Sequence, residues 1–317
     1  MAQHGVYSMT VDVVVYISSV ANPRKHSRKI ACLESFAEGV TKTGHRVRVE
    51  SEFKYQPARL AVILGWATTN TGGPNIVLRK QIIAEQQQHK FKTMCIDSSC
   101  WKYLDDSGTY LRYSLGGPFY DRAEYANKSS GPEKWQEISQ RLSLQLNPPS
   151  VNNGHILICM QRDGGFSMKS LNPNQWLDAK IKEIRLHTTR AIVVRPHPGS
   201  YTMQNFAKFT LPKYKAKWNV SVIDPKHSKL TDNLVGAHSV VLFNSSASVA
   251  AVCAGIPVFA DDSSCVSWAV ANKNVSSIES PVTFDRQQWI QDLAAAHWSD
   301  EDARAGKIYQ KFLPYLT

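Results

Sequence analysis

Short apolar runs alternate along the chain with stretches whose apolar positions recur every three or four residues, as strands and their covering helices do in an α/β fold. In the first half, the runs at 11–17, 46–50, 60–64 and 93–96 predict strands. Residues 27–43 carry helical spacing at Ile30, Leu33, Phe36, Ala37 and Val40 and end at Gly44, which suits a helix C-cap. A second helix is expected over 76–89, opened by the turn Gly72-Gly73-Pro74-Asn75, and a third over 133–146. Turn formers fill 147–154, after which the alternation restarts. Strands are expected at 155–160, 191–194, 220–223, 240–243 and 256–260, with helices over 176–186 and 246–254. Two amphipathic helices, 286–297 and 300–312, come last. The expected fold class is α/β, with two Rossmann-like domains, 1–150 and 151–317, facing a cleft.

A chain of 317 residues with 43% hydrophobic and 20% charged residues can bury two cores and is not of disordered composition. The apolar run near the start is broken by Asp12, Ser18 and Ser19 and has no basic segment before it, so it reads as a strand rather than a signal peptide or membrane span. A soluble, cytoplasmic chain with reduced thiols follows, since the six cysteines show no paired spacing. Both halves are basic: residues 1–150 hold 19 Lys/Arg against 13 Asp/Glu, and the remainder 18 against 13. That balance points to an anionic partner, although many soluble basic enzymes share it.

Chemistry is expected where strands of the second half end. The strand at 191–194 runs into Arg195-Pro196-His197-Pro198, and ligands bind at the carboxyl ends of strands in open α/β sheets. The prolines stiffen the turn, His197 faces a cleft and Arg195 offers a forked donor to phosphate. A rigid strand exit with a surface histidine is the bland alternative. The strand at 240–243 leads through Asn244-Ser245-Ser246 into a helix, whose free N–H groups and hydroxyls suit phosphate; either serine also serves as an ordinary N-cap. Arg162, Gly164 and Gly165 follow the strand at 155–160 as a donor loop, without the full glycine spacing of a dinucleotide fingerprint.

In carrying His197-Pro198 and Ser245-Ser246, the sequence resembles the GT-B glycosyltransferases that include bacterial sialyltransferases and capsule Kdo-transferases, over roughly 155–270. The resemblance implies a metal-independent glycosyltransferase with a nucleotide-sugar co-substrate and no further cofactor. It also implies that both motifs meet the donor's phosphate and ribose. The group's acidic motif, two acids then Gly, departs here to Asp105-Asp106-Ser107-Gly108, with Asp163-Gly164-Gly165 in the other half. Asp163, Asp105 and Asp106 are the leading candidates for the proton acceptor, with Asp97 and Asp121 also open; each is otherwise an exposed turn carboxylate. Asp300-Glu301-Asp302 opens a helix, where acids are expected anyway, so no metal site is assigned.

On the acceptor side, Arg24, Lys25, Arg28 and Lys29 crowd a helix start, where cations oppose the helix dipole unless an anion offsets them. The chain also resembles phage-encoded glycosyltransferases, and by analogy with those that modify hydroxymethylated pyrimidines, double-stranded DNA is the expected acceptor. The alternatives are a capsule or surface glycan as acceptor, or a non-catalytic nucleotide- or nucleic-acid-binding module.

Overall fold

The computed structural model describes residues 11–21, 27–67, 72–105, 107–162, 166–169, 171–199, 215 and 217–316. Its first sheet grows from runs buried on both faces. Strand β1 (Val13–Tyr16) is buried throughout and lies between β2 (Val47–Glu50) and β3 (Leu60–Leu64), parallel to both. Strand β4 (Lys92–Ser98) continues the parallel set beside β3. Helix α1 (Ser27–Lys42) turns Leu33, Phe36, Ala37 and Val40 into the core at the expected spacing, and α2 (Pro74–Gln88) starts with its proline in the first turn, where a missing N–H costs little.

Strand β5 (Tyr110–Leu115) was not expected. It runs antiparallel to β4, and Arg112 and Ser114 interrupt its aromatic and apolar positions. Helix α3 (Glu133–Leu142) then leads out of the first unit.

The second sheet is wholly parallel, in the order β10-β9-β6-β7-β8. Its elements in sequence are β6 (Ile156–Cys159), α4 (Pro173–Arg185), β7 (Ile192–Arg195), β8 (Val220–Val222), α5 (Leu230–Leu234), β9 (Ser239–Leu242), α6 (Ala247–Cys253) and β10 (Val258–Ala260). Helix α7 (Gln287–Ala295) follows.

The chain then returns to the first sheet, which the expected unit of 151–317 did not foresee. Strand β11 (His297–Ser299) pairs antiparallel with β5 and completes the order β11-β5-β4-β3-β1-β2. Helices α8 (Asp300–Arg304) and α9 (Lys307–Phe312) replace the single helix expected over 300–312, because Gly306 breaks it in the left-handed region at φ +79°. Both pack against α1 so closely that a Cβ on Gly39 would run into the Ala303 carbonyl oxygen. The Asp302 carboxylate ties this return together. It completes a capping box with Ser299, lies 2.7 Å from Lys134 of α3 and 2.9 Å from Lys307, and despite burial those partners hold it down to about 2.

All six cysteines are buried and unpaired. Among the described residues no helix is long and apolar enough to cross a membrane.

Candidate functional site

Loops following β4, β6, β7 and β9 converge on one cleft enclosing about 220 Å³ between the two sheets. The first sheet contributes Lys102 and Tyr103 from the turn after β4, and the second contributes Arg162, His197 and Asn244 to Ser246. Five of the eight expected donor-binding residues, Arg162, His197, Asn244, Ser245 and Ser246, therefore share one wall.

His197 is held in a defined state. Its Nδ1 accepts the Gly199 N–H at 3.0 Å, so the proton of the neutral ring sits on Nε2. Burial lowers its pKa, and the nearby charges of Lys102 and Arg162 lower it further. At neutral pH the ring is thus an uncharged N–H donor beside two cations.

Asn244 is fixed rather than free. Its Nδ2 donates to the Ser167 carbonyl at 2.8 Å and to Ser264 Oγ at 2.7 Å, while its Oδ1 accepts from Gln161 Nε2. Ser264 is held in turn by Asp262, which lies 2.6 Å from Lys169; burial opposes ionisation of that carboxyl, but Lys169 and Ser264 keep its pKa low. Neighbouring Asp261 accepts from Trp176 Nε1 and Lys180 Nζ of α4 at 2.7 and 2.9 Å. Both acids of this pair are spent on holding the cleft's back wall. The Ser245 Oγ accepts the Ala247 N–H at 3.3 Å, so it acts as a turn-closing group while lining the cleft.

Arg195 corrects an expectation. It is buried, and its guanidinium donates to Ser228 Oγ, the Ser228 carbonyl and Asn233 Oδ1 instead of lining the cleft. A strand's last residue points to one face or the other by alternation; here β7 turns Arg195 onto Ser228 and onto Asn233 of α5. Its charge is still felt at Tyr103, whose phenol burial pushes up while Arg195 and Ser245 oppose the rise.

On the first-sheet side, Asp97 lies at the end of β4 and lines the cleft. Its Oδ2 accepts from Arg112 at 2.7 Å and its Oδ1 from the Ser98 N–H at 2.8 Å. Arg112 is clamped near the stacked rings of Tyr120 and Tyr125, 5.6 and 5.8 Å from their centroids. The turn bearing Lys102 and Tyr103 is anchored from the far end of the chain. His297 Nε2 accepts the Cys100 N–H at 3.0 Å, its Nδ1 faces the Leu293 carbonyl at 2.7 Å, and its ring lies 5.2 Å from that of Trp101.

Of the expected proton acceptors, Asp105 does not line the cleft; it holds the Ser107 N–H and hydroxyl at 3.0 and 2.8 Å. Asp106 and Asp163 lie outside the described residues, as do Gly164, Gly165, Arg24 and Lys25. Asp121 meets Ser263 Oγ at 3.4 Å, a contact between the two halves of the chain. Arg28 and Lys29 line a second cavity of about 210 Å³, and Arg28 is bonded to the Ser107 carbonyl. Lys102 and Tyr103 were missed, although the signal was present: they follow a parallel strand just as His197 does. No group of three His, Cys, Asp or Glu among the described residues is placed to hold a metal ion.

No protein-family model and no curated protein matches the chain. Among solved structures it is similar to two from Thermosulfurimonas dismutans. One is described as KpsC, β Kdo 2,4 transferase (13% identity, TM-score 0.54, covering 91% of this chain and 90% of that one). The other is described as KpsC, β Kdo 2,7 transferase (14% identity, TM-score 0.51, covering 95% and 99%). At this identity the likeness is one of fold, and the chain has the expected architecture: α/β, with two parallel-rich sheets of GT-B-like type.

Proposed function

We propose that the chain is a glycosyltransferase that binds the phosphates of a nucleotide-sugar in the cleft and passes the sugar to a glycan hydroxyl. The observation carrying this is the charge of the cleft: Lys102 and Arg162 line it from opposite sheets beside His197, and Asp97, the one acid among its described lining residues, is already paired with Arg112. Such a cavity favours a polyanion, with the His197 N–H and the Ser246 hydroxyl as directional donors. Support for glycosyl transfer comes from the shared fold, since the similar structures are described as Kdo transferases.

Asp97 is the proton acceptor in this reading, in place of Asp105. The acceptor oxygen attacks the anomeric carbon, its proton passes to the Asp97 carboxylate, and the bond to the donor phosphate breaks with its electron pair leaving on phosphate. DNA is not the acceptor we favour. Arg28 and Lys29, two of the four cations behind that expectation, border a cavity sized for a small molecule.

The test is incubation with a panel of nucleotide-sugars and with oligosaccharide or hydroxymethylated duplex DNA, read by mass. Transfer to oligosaccharide is expected, and Asp97→Asn should lower kcat by about a hundredfold or more while nucleotide binding persists. Transfer to DNA alone would overturn the glycan reading. Nucleotide binding without transfer to any acceptor would favour a binding module.

A further inference from the structure

The cavity of about 210 Å³ that borders Asp97 from the other side differs in character from the cleft. Its floor is apolar, made by Leu64 at the end of β3, Ile96 of β4 and Leu111 of β5. Its rim is charged: Arg28 and Lys29 from the first turn of α1 on one side, Asp300 at the start of α8 on the other. Gly108, at φ +63°, leaves room for the Arg28 guanidinium, which a Cβ there would meet at 3.1 Å. Asp97 and Ser98 belong to the walls of both cavities.

We infer that this second cavity is a binding site for a single acidic monosaccharide ring, the acceptor of the transfer proposed above, on which this inference rests. Size sets the first limit. A space of about 210 Å³ has room for a single pyranose ring. Polarity sets the second. A pyranose has a face of C–H groups that fits the floor of Leu64, Ile96 and Leu111, and an edge of hydroxyls that reaches Asp97, Ser98 and Asp300.

Charge sets the third limit. Asp97 is neutralised by Arg112, and Arg28 bonds only an uncharged carbonyl, so among the described rim residues two cations face one unpaired acid, Asp300. The excess positive charge asks for a carboxylate on the ring, and Lys29, exposed at the rim, is the side chain placed to meet it. With its acid group on Lys29, the ring presents a hydroxyl to Asp97, at the wall shared with the donor cleft.

The experiment titrates the full chain, without any nucleotide, with methyl β-glucuronide and separately with methyl β-glucoside, following binding by ligand-observed NMR. The glucuronide should bind and the glucoside should bind at least about tenfold more weakly. Lys29→Glu, on an exposed side chain, should reduce glucuronide affinity by about tenfold or more. Leu64→Trp should fill the cavity and abolish binding, while nucleoside diphosphate affinity, measured in parallel, stays unchanged because Leu64 does not line the cleft. Equal binding of the two glycosides, absence of glucuronide binding, or binding that survives both variants would overturn the inference. Failure of the wild-type chain to bind any nucleotide would instead refute the donor cleft, and the two failures are read separately.

Discussion

Acidification should remove stability through His297 more than through any other single group for which a shift is resolved. Its ring is wholly buried, and burial first, then the charges of Arg112 and Lys134, lower its pKa from 6.5 to about 3, against the raising effect of its bond to the Leu293 carbonyl. Between those two values the unfolded chain takes up a proton at this position and the folded chain does not, so stability falls as pH falls from 6.5 towards 3 and levels off below. At pH 5 the one and a half units below the unfolded value correspond to about 2 kcal/mol. The assay is urea unfolding at pH 7 and pH 5, for the wild-type chain and His297→Gln. The variant will be less stable at pH 7, because it loses the ring that bridges the Cys100 N–H to the Leu293 carbonyl and packs against Trp101. Its loss between pH 7 and 5 should nevertheless be smaller than the wild type's by about 2 kcal/mol, since every other histidine is common to both. Parallel pH profiles would refute the buried, neutral state of this ring.

Gly39→Ala should destabilise the chain by about 1–3 kcal/mol in urea unfolding despite alanine's better helix propensity, because the new methyl meets the Ala303 carbonyl; a stabilised variant would contradict the close α1–α8 contact. Asp302→Asn should cost about 3 kcal/mol at pH 7, with the gap to wild type narrowing as pH falls from the ordinary value of 3.8 towards about 2, where the carboxylate takes its proton; a gap independent of pH would remove the ion pairs from the account. His197→Ala should weaken nucleoside diphosphate binding about tenfold in a calorimetric titration. Wild-type affinity should not rise as pH falls from 8 to 7, since burial and the neighbouring cations keep the ring neutral there, and such a rise would show that it titrates.

Most strands and helices were legible because burial imposes a period that one sequence displays: the four buried residues of β1 and the helical spacing of α1 both read directly. What escaped depended on partners far along the chain. Strand β5 hides an arginine that is acceptable only because Asp97, Tyr120 and Tyr125 surround it, and β11 is three residues long and exists through its pairing with β5. The site divided in the same way. His197 and Asn244 to Ser246 line the cleft as the rule that strand ends mark clefts leads one to expect, whereas Arg195, the last residue of β7, faces Ser228 and Asn233 for reasons visible only in three dimensions. Lys102 and Tyr103 are hard to read from sequence because the hydrogen bond holding their turn comes from residue 297.

The return of β11 and helices α8 and α9 to the first sheet also sets an order in time. A ribosome delivers β1 to β5 early, yet the edge partner of β5 and the cover of α1, including Ala303, Ile308, Tyr309 and Phe312, emerge only after the whole second sheet has been made. The nascent first unit must therefore wait with part of its core open. Seating His297 against Cys100 is one of these late steps and also fixes the cleft turn carrying Lys102, so in a growing chain the capacity to bind a ligand comes late.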